Sequence, residues 1–119
     1  MAIRYVGALI IEARKPETLA QWYSHYFDFE ISLEHDGGLF GAFETERGPF
    51  HFGLTPYDSD PNIGRPRGVI ITFRVDNFDS LLKKLKKDGY EPIAYAEDDD
   101  GKYAMFRDPE GNQVSVWGE

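Results

Sequence analysis

The sequence predicts an α+β fold in which two tandem βαβββ modules form a curved, partly closed mixed β-sheet with the helices outside. The same order of segments occurs twice: a buried strand, an amphipathic helix and three short strands. Gly7 and Gly68, which precede the two opening strands, lie 61 residues apart. Asp28 and Gly89, which end the two helices, lie 61 residues apart as well. Two copies are too few for a solenoid, so we expect their sheets to pair.

The first module begins with an apolar, partly β-branched run at residues 5–13, which indicates a buried strand. A helix is predicted for residues 16–27, because Pro16 suits a first helical turn and apolar residues recur at spacings of three and four. Turn residues then separate three short strand segments, at residues 29–34, 39–45 and 50–54.

The second module follows a segment, residues 57–67, that is rich in Pro, Gly, Asn and Asp and reads as a linker. A buried strand is expected at residues 68–75 and a helix from Asn77 or Phe78 to Lys87, with Asp76 as a possible capping residue. We therefore predict one domain over residues 1–119. Its parts are module 1 (about 1–56), the linker (57–67) and module 2 (about 68–119).

Composition narrows the function classes. A formal net charge of −8 argues against nucleic-acid binding, which needs clustered Lys and Arg. A protein with this charge would tolerate a cationic ligand. The chain has no cysteine, which favours a reducing compartment and removes thiolate metal sites. No apolar run resembles a signal peptide or a membrane span, so a cytoplasmic protein that is not bound to a membrane is the expectation.

One motif is more specific than these patterns. Asp108-Pro-Glu-Gly-Asn112 leads into a strand, with Pro109 suited to a turn and Gly111 able to adopt positive φ. The segment closely resembles the closing signature of the vicinal-oxygen-chelate superfamily, which includes glyoxalase I, extradiol dioxygenases, fosfomycin-resistance enzymes and bleomycin-resistance proteins. Trp22-Tyr23 is similar to an aromatic pair in the first helix of that superfamily.

The resemblance implies a divalent metal held by His, Glu or Gln from the first and last strands of each module. Matched residue by residue, those positions fall on Ala8 (or Gly7), Ile70 (or Val69), Ser115 and Phe52 (or His51 in the neighbouring register). His51 is thus a metal ligand or a half-buried strand histidine, and the other positions offer at best a weak donor. We therefore predict no metal and no cofactor.

Period-two alternation turns residues of the same parity as Ser115 towards the concave side of the sheet. The predicted ligand-binding residues are Phe50, Phe52, Arg74, Tyr103, Met105, Ser115 and Trp117. The same register turns Ile10, Glu12, Leu54, Ile70, Thr72 and Gln113 inward. The alternatives are that the aromatic residues pack against each other or a second subunit, and that Arg74 pairs with Glu12.

Three functions follow, and the first is the leading hypothesis. It is a metal-free binding protein that sequesters an apolar or aromatic small molecule, including a cationic one, as bleomycin-resistance proteins do. The second is a metal-dependent lyase or dioxygenase of the same superfamily, which needs ligands that the sequence does not supply. The third is a structural or interaction module with a filled cleft. The resemblance also implies a homodimer.

Overall fold

A computed structural model describes residues 6–56 and 70–119, which fall into two compact units divided after Ile63. In the described residues, each unit contains one helix and four strands. The predicted linker at residues 57–67 lies outside the described residues, so its assignment stays a prediction. No helix of the described ranges is long and apolar enough to cross a bilayer.

The two modules contain the same elements in the same order. Module 1 consists of β1 (Leu9–Ala13), α1 (Pro16–Phe27), β2 (Glu30–His35), β3 (Gly38–Thr45) and β4 (Gly48–Pro56). Module 2 consists of β5 (Ile70–Arg74), α2 (Phe78–Lys87), β6 (Ala94–Asp98), β7 (Gly101–Arg107) and β8 (Gln113–Gly118). The sheet orders are β1-β4-β3-β2 and β5-β8-β7-β6. Among the strands that the structure describes, only the opening strand of each sheet is parallel to its neighbour. The α+β class and the tandem βαβββ modules are confirmed, as two open four-stranded sheets.

The predicted bounds of α1 are confirmed. Pro16 occupies its first turn, where a missing N–H loses no helical hydrogen bond. The helix stops at Asp28, which has φ 57°, and the backbone N–H groups of Asp28 and Phe29 donate to the carbonyls of Ser24 and Tyr23. Its apolar face buries Tyr23 completely, so α1 contributes directly to the module 1 core.

Helix α2 follows its predicted range, but its capping residue differs from the prediction. The capping position is Asn77 rather than Asp76, and no side-chain capping hydrogen bond forms there. The helix is anchored instead by its apolar stripe, because Phe78, Leu81 and Leu85 are buried. Burial of this stripe compensates for a helix N-terminus without a capping side chain.

The Asp108–Asn112 turn is confirmed as a built structure that delivers the chain into β8. Asp108 is 4% exposed, and its Oδ1 accepts hydrogen bonds from the backbone N–H groups of Glu110 and Asn112 at 2.9 Å. Its Oδ2 accepts one from Asn112 Nδ2 at 2.7 Å. Gly111 has φ 86°, which favours glycine. The signature motif therefore has a structural role in this chain: it sets where β8 begins.

Lys102 of β7 ties the sheet of module 2 to α2, because its Nζ donates to both carboxylate oxygens of Asp79, at 3.0 and 3.1 Å. That hydrogen bond raises the pKa of Lys102.

A raised pKa means that the Lys102–Asp79 pair stabilises the fold below the ordinary lysine pKa. This contribution is lost as the pH rises through the raised pKa. We expect Lys102→Met to lose stability at pH 8, and we expect this loss to shrink as the pH is raised beyond the ordinary lysine pKa, as measured by urea midpoints. A loss that does not change with pH would contradict this role.

Candidate functional site

The open face of module 2 is the side of its sheet that α2 does not cover. On the covered side, the ring of Phe78 in α2 packs against that of Tyr95 in β6. Val114 and Val116, the two neighbours of Ser115 in β8, are fully buried on that side. Strand pairing then places five of the seven predicted site residues together on the open face: Arg74, Tyr103, Met105, Ser115 and Trp117. Thr72 and Ile70 share this face, and Ile70 is 48% exposed.

A pair of hydroxyl groups lies at the centre of this face. Tyr103 Oη and Ser115 Oγ are 3.0 Å apart, and either can be the donor. Ser115 is fully buried, whereas Tyr103 is half-buried. Met105 is the ladder partner of Ser115 and adds a flexible apolar surface beside the pair. This centre can donate or accept a hydrogen bond while an apolar molecule rests on its surroundings.

Trp117 marks the end of the face where β5 and β8 finish. Trp117 is 42% exposed, and the guanidinium carbon of Arg74 lies 4.3 Å from the centroid of its ring. Arg74 Nη2 also donates to Glu119 Oε1 at 3.0 Å. Within module 2, the carboxylate that Arg74 contacts is therefore that of Glu119.

The predicted register of β4 is wrong, and this removes Phe52 from any open face. Phe52 is 1% exposed, and its ring packs 5.0 to 5.2 Å from the rings of Tyr23, Phe29 and Phe43, beneath α1. Leu54 is fully buried on the same side. Phe50 shares their parity, and it is 42% exposed because it lies near the strand start.

The physical reason is a difference between two turns. The β3–β4 hairpin closes from Thr45 to Gly48 around two residues, whereas β7–β8 closes from Arg107 to Gln113 around five. The sequence match paired Gly48 with Gly111, the glycines of the two turns. Because the turns differ in length, this match shifts β4 by one residue relative to β8, and a shift of one residue exchanges the two faces of a strand.

The open face of module 1, the side away from α1, presents a residue that the sequence analysis missed. Phe40 and Ile10 both pair with Gly53, so the three share this face. A Cβ on Gly53 would come within 2.5 Å of Phe40 Cδ1, which shows that the ring lies across the glycine. His51, exposed, occupies the same face. The available signal was a glycine inside a strand, which often marks the close approach of another group.

Comparison with known proteins identifies the family. The model of the family described as Glyoxalase/Bleomycin resistance protein/Dioxygenase superfamily matches residues 6–116, nearly the whole chain. The chain belongs to this superfamily. No curated protein matches it.

Solved structures with the glyoxalase/bleomycin resistance fold differ in what they do. The chain is similar to oxidase ChaP-H2, with a TM-score of 0.75, 17% identity and coverage of 100% of this chain and 95% of the other. It is similar to lactoylglutathione lyase from Agrobacterium tumefaciens, with a TM-score of 0.71, 19% identity and coverage of 99% and 96%. It is also similar to TnmS3, an antibiotic binding protein from Streptomyces sp. CB03234, with a TM-score of 0.71, 23% identity and coverage of 99% and 98%. At these identities the likeness shows the fold, which hosts both enzymes and binding proteins.

The metal-ligand positions that superfamily membership implies do not fit a divalent ion in this chain. Ala8 and Ile70 have no donor atoms, and Ser115 Oγ is buried in its hydrogen bond to Tyr103. The corrected register of β4 places Gly53 and His51 on the open face instead of Phe52, so one imidazole is the best donor there. Within residues 6–56 and 70–119, no three His, Asp or Glu side chains gather as a metal site requires.

Proposed function

We propose that this protein is a metal-independent binding protein of the superfamily, which holds an apolar or aromatic small molecule, including a cationic one, against the open face of module 2. The observation that carries the proposal is the exposed Trp117 indole, which shares that face with Met105 and the Tyr103–Ser115 hydroxyl pair. An aromatic platform with a few polar groups is the usual composition of a small-molecule site.

Exposure supports a ligand more than internal packing. Trp117 is 42% exposed and Ile70 is 48% exposed, although the opposite face of the same sheet buries Val114 and Val116 completely. Removing such apolar surface from water is worth about 25 cal/mol per Å², so an apolar ligand that covers these side chains gains affinity from them. The buried hydroxyl pair would fix the orientation of a polar group on that ligand.

Charge supports a neutral or cationic ligand. The net charge of −8 disfavours the approach of an anion to the protein. The residues at the superfamily's metal positions offer too few donor atoms for a divalent ion, and this supports binding without a metal. Following the superfamily resemblance, we also propose that the protein is a homodimer. Its lack of cysteine supports the further proposal that it acts in the cytoplasm. A bound transition metal at one per chain after purification would contradict the metal-free part of the proposal.

Removal of the Trp117 ring tests the proposed site. We expect the chain to bind at least one member of a panel of bleomycin and planar aromatic metabolites in calorimetric titrations. Trp117→Ala should weaken that binding tenfold or more, because exposed aromatic anchors dominate such interfaces. The variant should keep its circular dichroism spectrum, since the side chain is partly exposed.

Tyr95→Ala is the matched control. Tyr95 is 50% exposed on the same sheet but lies on the face that carries α2. Its removal should leave the affinity within about twofold of the original protein. Equal losses in both variants, or no binding to any member of the panel, would overturn the proposed function and favour an interaction module.

A further inference from the structure

At the Trp117 end of the open face, the indole ring is already in contact with a planar cation, the guanidinium group of Arg74. Arg74 and Trp117 are paired across the parallel strands β5 and β8, and the backbone N–H of Val75 donates to the Trp117 carbonyl at 2.9 Å, which extends the pairing. The Arg74 guanidinium carbon lies 4.3 Å from the indole centroid, and its Nη2 is bonded to Glu119. An aromatic face beside a carboxylate is a chemical arrangement that recognises cations.

Further carboxylates surround this end of the sheet. A cavity of about 360 Å³ adjoins the β6–β7 turn, and five of its lining residues are acidic: Glu97, Asp98, Asp99, Asp100 and Glu119. Gly101, another lining residue, lies beside the indole, because a Cβ on this glycine would be 3.2 Å from Trp117 Nε1. Lys102 also lines it, but its ammonium group is bonded to Asp79. Glu119 thus belongs both to the acidic cavity and to the contact with Arg74.

We propose that the Trp117 ring and the Glu119 carboxylate form a subsite for a planar, cationic ring system, and that Arg74 is the internal occupant that such a ligand displaces. Arg74 thereby determines specificity, since a neutral planar molecule gains less from replacing a guanidinium than a cation does. This inference deepens the proposed function and rests on it for the location of the site.

The occupant is weakly held, as a displaceable group must be. The Arg74 side chain is 44% exposed and that of Glu119 is 83% exposed, so water screens their ion pair. Arginine also regains side-chain freedom when it leaves the ring, because its flexible chain is ordered by the contact. A ligand whose cation is rigid, flat and larger than a guanidinium therefore competes successfully for the same ring face.

The experiment compares two probes of the same shape and different charge, with the full chain. 9-Aminoacridine is a cation at neutral pH, and acridine is the matched neutral ring system. We expect Arg74→Ala to bind 9-aminoacridine about three- to tenfold more tightly than the original protein, as measured by calorimetry. Acridine should gain less than twofold. Adding Glu119→Gln to Arg74→Ala should remove the gain for the cation.

Arg107→Ala controls for net charge. Arg107 lies on the same face, but its Nη1 donates to the Gly111 carbonyl, away from Trp117. This variant carries the same charge as Arg74→Ala, and its affinity for 9-aminoacridine should stay within twofold of the original. The inference is overturned if both arginine variants gain equally, if acridine gains as much as the cation, or if Arg74→Ala weakens binding.

The two proposals fail in different ways. If the original protein binds nothing in the bleomycin and metabolite panel, while Arg74→Ala binds 9-aminoacridine in a Glu119-dependent manner, the cation subsite stands and the proposed function falls. If the panel binds through Trp117 but Arg74→Ala changes no affinity, the function stands and Arg74 has no part in specificity.

Discussion

Phe52→Ala should destabilise module 1 by about 3–5 kcal/mol, the range for truncation of a buried Phe. The ring is 1% exposed and is surrounded by those of Tyr23, Phe29 and Phe43, with centroids 5.0 to 5.2 Å away. Its removal leaves a cavity among rigid aromatic side chains, which cannot easily move to fill it. Urea unfolding followed by circular dichroism measures the loss as a lower midpoint at an unchanged slope.

Phe50→Ala is the control on the same strand. The side chain has the same parity as Phe52 but is 42% exposed, so we expect a loss of less than about 1 kcal/mol. A loss in Phe52→Ala that is as small as the loss expected for Phe50→Ala would contradict the register of β4. The sequence analysis predicted that both residues bind a ligand, whereas the structure places Phe52 in the core. Comparing the two variants tests which assignment of Phe52 is correct.

Asp108→Ala should destabilise module 2 by about 3 kcal/mol. The carboxylate accepts three hydrogen bonds at a nearly buried position, and such bonds to a charged group contribute about 1.5–3 kcal/mol each without being additive. Alanine would leave the N–H groups of Glu110 and Asn112 and the Asn112 side-chain amide without their acceptor. Thermal and urea unfolding of the variant measure the effect.

Two further variants show whether the hydrogen bonds cause the loss. Asp108→Asn keeps an oxygen for the backbone N–H groups but turns a donor towards Asn112 Nδ2, so it should be destabilised by about 2 kcal/mol. Adding Asn112→Asp restores a donor and an acceptor, and at least about 1 kcal/mol should return. Asp98→Ala, which removes an exposed hydrogen bond to the Asp100 N–H, should change stability by less than about 0.5 kcal/mol. No recovery in the double variant would contradict the assigned pairing.

Local patterns in the sequence were sufficient for much of the architecture. The range of α1 followed from one proline and an apolar repeat that tertiary packing did not override. The tandem modules followed from an interval of 61 residues. On module 2, simple alternation placed Tyr103, Met105, Ser115 and Trp117 on one face, because β7 and β8 contain no bulge.

The candidate site of module 1 was not predictable in the same way. The sequence alignment could not show that one hairpin closes around two residues and the other around five, and this difference alone exchanges Phe52 for His51 and Gly53 on the open face. Phe40 was missed because its importance depends on lying across Gly53, a residue on the neighbouring strand. Register between strands is a property of the pairing and is only partly encoded in either strand.

The sequence by itself determined the number of modules, the helices, the signature turn and the absence of donor atoms at several inherited metal positions. These features depend on residue type and on spacing along one segment, where periodicity and side-chain chemistry suffice. Only the tertiary structure decided the face that β4 presents, the hydroxyl pair between Tyr103 and Ser115, and the pairing of Arg74 with Glu119. Each of these is a contact between strands, and its geometry is set by hydrogen-bonded register and turn length.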